Sequence, residues 1–213
     1  MVRIILVGLL ALLALALSLS GCCAQPCPAP ESQATSVGAT ESQDEPLNTS
    51  GALSLSDMAE KLLYENSENG VSITYPSGWL VVEPDANDGG IVAGFLAPDQ
   101  DVNDPAVYIL LQIEEMPAGQ EITLEQYGQA ALSNLQAAKP DLKVLTESDI
   151  PVGGQPGHAI VYELDSEGES YRVLKAWSVQ GDAAYIFTYN APVDRYEEFA
   201  REASQIIGSL NAS

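Results

Sequence analysis

After Cys27 the chain of 213 residues contains no further cysteine, so most of it folds with neither a disulfide framework nor a thiolate metal site. Bases are scarce: 8 Lys and Arg stand against 30 Asp and Glu, for a formal net charge of -22. Phosphate recognition rests on Lys and Arg releasing counterions, so this balance argues against DNA or RNA as a partner and against adsorption to an anionic leaflet. There is 1 histidine, His158, which leaves little for general-base or nucleophile-activating chemistry. Neither a Gly-x-Ser-x-Gly elbow nor a phosphate-cradling glycine loop occurs. Carboxylates are so abundant that some pair must fall close together by chance, and such a pair is no sign of acid–base catalysis. The chain therefore reads as a non-enzyme. The 17 glycines and 13 prolines follow no period, which excludes a fibre, and a hydrophobic fraction of 46% excludes an acidic disordered chain.

The amino terminus carries the most specific signal. Arg3 supplies a positive start, residues 4–19 are almost unbroken Leu, Ile, Val and Ala, and the run closes on Leu19-Ser20-Gly21-Cys22 before any acid has appeared. This resembles a bacterial lipoprotein signal peptide with a complete lipobox. The resemblance implies cleavage before Cys22 and a diacylglyceryl group on its thiol. An uncleaved anchor would need about 20 apolar residues to span a bilayer, and this run is shorter. Either form tethers the chain outside the cytoplasm, on the cell membrane or, in a diderm, the outer membrane. Two or three acyl chains are what stable anchoring takes.

Three segments follow from this: residues 1–21 as signal peptide, 22–52 as lipidated cysteine and stalk, and 53–213 as the folded domain. The stalk is rich in Ser, Thr, Pro, Gln and Ala and cannot bury enough apolar surface to offset its ordering entropy. As a random coil of roughly thirty residues it reaches ~30 Å. Cys23 and Cys27 have no nearby Cys or His to complete a zinc set, and read as a local disulfide or idle thiols.

Beyond the stalk the apolar pattern is mostly period two. Val71-Ser-Ile73-Thr-Tyr75 alternates, stops at Pro76-Ser77-Gly78 and leads into Trp79 and Leu80-Val81-Val82, which reads as a hairpin region with Trp79 as a packing anchor. Residues 91–96 predict a strand, and residues 107–113, apolar on both faces, a central strand covered above and below. Residues 158–164, 171–177 and 184–189 with short connections predict an antiparallel meander. Helical spacing takes over twice. Thr123-Leu-Glu-Gln126 has capping-box form before Leu124, Tyr127, Ala131 and Leu135, with Lys139-Pro140 ending the run. After Pro192, suited to a first helical turn, Tyr196, Phe199, Ala203, Ile206, Ile207 and Leu210 mark a second stripe. A further short helix is expected over 56–63. The class is α+β, an antiparallel sheet sandwiched between helices.

In order along the chain, Gly70-Val-Ser-Ile-Thr-Tyr-Pro-Ser-Gly-Trp79, Thr123-Leu-Glu-Gln-Tyr127, Gly154-Gln-Pro-Gly-His-Ala159, Asp182-Ala-Ala-Tyr-Ile-Phe-Thr-Tyr-Asn-Ala191 and the closing helix from Tyr196 resemble the PsbP-like domain. The resemblance spans residues 64–210. It implies an α/β/α sandwich shared by the PsbP protein of photosystem II, cyanobacterial lipoprotein relatives and bacterial DcrB-like proteins, whose members are mostly binding or assembly factors. The photosystem subunits dock through Lys-rich surfaces, whereas lysine here is confined to Lys61, Lys139, Lys143 and Lys175.

Candidate sites are few. Asp99-Gln-Asp101-Val-Asn103-Asp104 begins like a calcium loop, making Asp99, Asp101 and Asn103 the candidate metal ligands. Asp104 then stands where the sharp-turn glycine belongs and Leu110 where the bidentate glutamate belongs, so a solvated acidic loop is the competing reading. Asp85-Ala-Asn87-Asp88-Gly89-Gly90 reads as a turn. His158 is in phase with Ile160, Tyr162 and Leu164 and reads as a packed or edge-strand side chain. Trp79, Tyr75 and Tyr189 could meet a partner but read as core. The expected function is a membrane-anchored, extracytoplasmic, non-catalytic binding or assembly lipoprotein. It has no cofactor, Cys22 is the lipidated residue, and a protein is the partner. The alternative is a calcium- or metal-dependent extrinsic accessory subunit of a membrane complex such as photosystem II.

Overall fold

The computed structural model describes residues 60–84, 89–117, 119–140, 142–166 and 168–213. Cys22 and the segments expected to be signal peptide and stalk lie outside the described residues, as does the part of the expected short helix before residue 60. The elements run β1 (Lys61–Asn66), β2 (Val71–Pro76), β3 (Leu80–Val82), β4 (Ile91–Leu96), β5 (Tyr108–Glu115), α1 (Leu124–Ala138), β6 (Lys143–Val152), β7 (Gln155–Ser166), β8 (Glu169–Gln180), β9 (Ala183–Pro192), α2 (Tyr196–Gly208) and β10 (Asn211–Ala212). They form a seven-stranded antiparallel sheet ordered β3-β4-β5-β9-β8-β7-β6 and a three-stranded sheet ordered β1-β2-β10. Among the described residues no helix is long and apolar enough to cross a membrane.

The large sheet buries both faces against different partners, because successive side chains of each strand point to opposite sides. On one face Ile109, Leu111, Ala176, Phe187 and Tyr189 meet Phe199, Ala203, Ile206 and Ile207 of α2 together with Tyr64 and Ile73 of the small sheet. On the other face Ile160, Tyr162, Val173, Trp177, Ala184 and Ile186 lie under Leu124, Tyr127, Leu132 and Leu135 of α1. The helices differ in kind. Tyr196, Phe199, Ala203, Ile206 and Ile207 of α2 are buried, whereas α1, opened by the capping box of Thr123 and Gln126, buries no residue fully. Each fully buried large side chain contributes about 1.5–3 kcal/mol, so α2 is the structural helix and α1 a cover.

The meander β7–β8–β9 and both helices match the periodicity. Several expectations do not. β2 and β3 form no hairpin: β2 pairs with β1, and β3 with β4 in the other sheet. The turn, with Trp79 N donating to Pro76 O at 3.0 Å, passes the chain between sheets, and Trp79 wedges edge-on against Phe199 at 5.9 Å. Trp79 and Tyr189 are core, and Tyr75 is half-buried. Residues 61–63 are strand, not helix, because pairing with β2 turns Tyr64 inward and leaves Leu62 and Leu63 exposed. Pro192 ends β9 instead of opening α2, which starts after a turn closed by Arg195 N on Pro192 O. β5 is interior to the sheet but fully buried on one face only; Tyr108 and Leu110 on the other are half-covered. The α/β/α expectation is thus met in part: each face carries one helix, but α2 shares its face with a second sheet and the fold is mostly β.

Candidate functional site

The main gathering of ionisable and aromatic side chains lies on the α1 face, at the β6–β7 margin of the large sheet. Register places His158 of β7 between Asp149 of β6 and Trp177 of β8. The Nδ1 atom of His158 lies 2.8 Å from Asp149 Oδ1, and Nε2 lies 3.0 Å from Glu147 Oε1. The imidazole leans on the Trp177 indole with centroids 5.2 Å apart. Only the doubly protonated ring can donate to both carboxylates; the neutral ring carries one N–H and satisfies one of them. Each ring nitrogen thus has a carboxylate as its hydrogen-bonding neighbour, and in the neutral ring the nitrogen without the proton keeps its lone pair.

Trp177 is the centre of this face. Its Nε1 is buried and has no hydrogen-bond partner. Gly128 of α1 lies against the indole so closely that a Cβ there would stand 3.3 Å from Cζ2 and 3.4 Å from Nε1. The preceding residue, Tyr127, donates its hydroxyl to Glu114 Oε2 at 2.8 Å. Burial, reinforced by the charge of Glu114, raises the Tyr127 phenol far above its ordinary range. On the same face Lys175 is largely desolvated, which lowers its pKa, while the nearby Glu114 carboxylate opposes that shift. The Ser178 hydroxyl, buried on the other face, accepts a hydrogen bond from Gln180 Nε2 at 3.0 Å. The hydrogen-bonding neighbours of the His158 nitrogens are carboxylates, not a hydroxyl or a thiol. The arrangement can hold α1 and the sheet margin in place and present Glu147 and Asp149, both largely exposed, to a partner.

On the α2 face, two donors of Arg172, Nε at 3.2 Å and Nη2 at 2.8 Å, converge on Glu163 Oε1, while Nη1 reaches Glu197 Oε1 at 3.4 Å. Its guanidinium stands 5.3 Å from the Tyr196 ring centroid. The Glu163 hydrogen bonds raise the Arg172 pKa, and burial opposes them. This side chain ties the start of α2 to the sheet.

Asp99, Asp101 and Asn103 lie in the loop between β4 and β5. Asp99 has φ of 61°. Asp101 Oδ1 accepts from Asn103 N at 2.9 Å and from Asn103 Nδ2 at 3.2 Å, so two of the three candidates are bonded to one another. The loop is closed by Gln100 Oε1, which accepts from Ala106 N at 3.1 Å and Val107 N at 3.0 Å. No group of three His, Cys, Asp or Glu is gathered as a ligand set among the described residues. Residues 85–88 of the other acidic turn lie outside them. Sequence reasoning missed Glu147 and Asp149 because β6 has few apolar residues. The usable signal was Gly153-Gly154, a two-residue hairpin turn that would have laid Asp149 opposite His158.

No protein-family model matches the chain, and no curated protein matches it. Solved structures do. The solution structure of cyanobacterial PsbP (CyanoP) from Synechocystis sp. PCC 6803 is 16% identical, with a TM-score of 0.55, covering 79% of this chain and 100% of that one. The Ran-binding protein Mog1p of Saccharomyces cerevisiae is 10% identical over 72% of this chain and 96% of its own, with a TM-score of 0.49. LpqN, described as involved in cell envelope biogenesis of Mycobacterium tuberculosis, is 14% identical over 72% and 91%, with a TM-score of 0.48. The first alignment shows that the fold is PsbP-like.

Proposed function

We propose that this chain is a membrane-anchored extracytoplasmic lipoprotein whose PsbP-like domain binds a protein partner and catalyses no reaction. The observation that supports the non-catalytic half is that the nitrogens of His158, the chain's single imidazole, have Glu147 and Asp149 as their hydrogen-bonding neighbours, not a hydroxyl or thiol that a base could activate. Anchoring is supported by the run from Arg3 to Cys22. A net charge of -22 selects a partner that presents Lys and Arg, since complementary surface charge steers encounter and rejects acidic competitors.

The test is fractionation followed by cross-linking in native membranes and mass spectrometry. The wild-type chain is expected with the membranes, Cys22→Ala in the soluble extracytoplasmic fraction, and the cross-linked partner peptides enriched in Lys and Arg. Recovery of the wild-type chain inside the cytoplasm overturns the anchoring. A hydrolytic activity lost in His158→Ala overturns the non-catalytic reading.

The fold shared with cyanobacterial PsbP favours one second reading, a metal-dependent extrinsic accessory subunit of a membrane complex such as a photosystem. Calcium dependence of the partner cross-links separates the two.

A further inference from the structure

Among the described residues strand β1 is an unpaired edge, and its residues are complementary to themselves. In the small sheet β2 is paired on both sides: β1 lies on one, and β10 with Ser209 lies on the other, where the Ser209 hydroxyl accepts from Thr74 N and donates to Thr74 O, both at 2.9 Å. Among the described residues no strand pairs with the far side of β1. Ser77 N donates to Glu60 O at 2.8 Å, which fixes the alternation. The backbone groups of residues 60, 62, 64 and 66 face β2, and those of Lys61, Leu63 and Glu65 face outward. Leu63 is 59% exposed and Leu62 38%, the former among the few large apolar side chains left in solvent. An open edge of this kind is a template for another strand unless charge or a bulge blocks it.

We propose that two copies of this chain pair antiparallel through β1 about Leu63, joining their small sheets into one six-stranded sheet across a two-fold axis. In that register Leu63 faces Leu63 of the second copy, Lys61 faces Glu65, Glu65 faces Lys61, and Leu62 faces Tyr64. Every pair bearing outward backbone groups, 61 with 65 and 63 with 63, is then a hydrogen-bonded pair. A slip of one residue would set outward groups against inward ones, and a slip of two would set Lys61 against Leu63 and break the charge match. Charge also selects this place on the surface. Most approaches between two copies of a chain with net charge -22 bring carboxylates together, whereas β1 offers one lysine and one glutamate that exchange partners. The contact is short compared with a stable interface of ~1,200–2,000 Å², so the pairing is reversible and depends on local concentration.

The test is disulfide trapping in intact cells expressing the full chain, with Cys22, Cys23 and Cys27 kept to set the baseline. Directly opposed residues of a hydrogen-bonded pair have Cα atoms about 5.5 Å apart, within the roughly 4.4–6.8 Å that a disulfide spans. Leu63→Cys is expected to give covalent dimer well above the baseline on mild oxidation, and Leu62→Cys several-fold less. Adding Lys61→Glu to Leu63→Cys should lower the yield, and adding Glu65→Lys as well should restore it, because the charge match returns with its signs exchanged. Leu63→Cys dimer at the baseline level overturns the proposal. So do equal yields from Leu62→Cys and Leu63→Cys, or a yield that Lys61→Glu leaves unchanged.

Discussion

The turn between β6 and β7 offers a matched pair of substitutions whose difference follows from the packing. Gly153 and Gly154 form a two-residue hairpin loop with φ of 58° and 75°, the left-handed region that a side chain disfavours. Alanine in that region costs about 1–2 kcal/mol. At Gly154 that is the whole penalty, since a Cβ would meet nothing within 4 Å. At Gly153 the turn is seated on the end of α2. Its N–H donates to Ile207 O at 3.2 Å, and a Cβ would run into the Leu210 carbonyl oxygen while standing 3.0 Å from Leu210 Cβ. Leu210 is core, so relief requires backing the hairpin off α2 and loosening a buried leucine. Adding part of a buried leucine's packing to the backbone strain brings the penalty to ~3 kcal/mol or more. With a urea slope of ~2 kcal/mol per molar, the midpoint falls by ~0.5 M for Gly154→Ala and ~1.5 M for Gly153→Ala. Gly154→Asn should fall less than Gly154→Ala, because asparagine tolerates the left-handed region. Equal midpoints for the two alanine variants would refute the seating of this hairpin on α2.

Burial pushes the phenols of Tyr64, Tyr162 and Tyr196 up to about 12. The folded chain then keeps protons that the unfolded chain releases, so their stabilisation is complete below about pH 10 and is lost as pH rises towards 12; tyrosinate absorbance and circular dichroism should change together over that window. Arg172→Ala removes the fork onto Glu163 and should cost about 1.5–3 kcal/mol in urea unfolding. Arg172→Lys should recover only part, since an ammonium lacks the planar fork that sets Nε and Nη2 on Glu163 Oε1 while Nη1 reaches Glu197. Calcium should raise the melting temperature no more than sodium chloride of equal ionic strength, and Asp101→Ala should leave that response unchanged, because among the described residues no three carboxylate, imidazole or thiol side chains are gathered as a ligand set; a saturable shift abolished by Asp101→Ala would establish the metal-dependent reading.

The meander of β7, β8 and β9 was legible because alternation and short turns are local signals, and α2 because its stripe of Tyr196, Phe199, Ala203 and Ile206 repeats within a few turns. The capping box at Thr123 was legible for the same reason. β6 was not legible. As an edge strand it holds no continuous apolar face, so Glu147-Ser-Asp149 resembles a loop until β7 is laid beside it. Residues 61–63 followed a helical pattern locally but are held extended by β2. The turn Pro76-Ser77-Gly78 announced a change of direction without saying which sheet the next strand would join.

From sequence alone come the acid excess, the apolar run that closes on Leu19-Ser20-Gly21-Cys22, the single imidazole and the α+β class, because these depend on residue type and short-range spacing. Only the tertiary structure decided that β2 and β3 part company, that His158 is clasped by two carboxylates, that Trp177 lies beneath Gly128, and that β1 is the edge of the small sheet among the described residues. Those outcomes depend on which distant strands come to lie side by side, and that choice is made by the burial of both faces of the sheet at once.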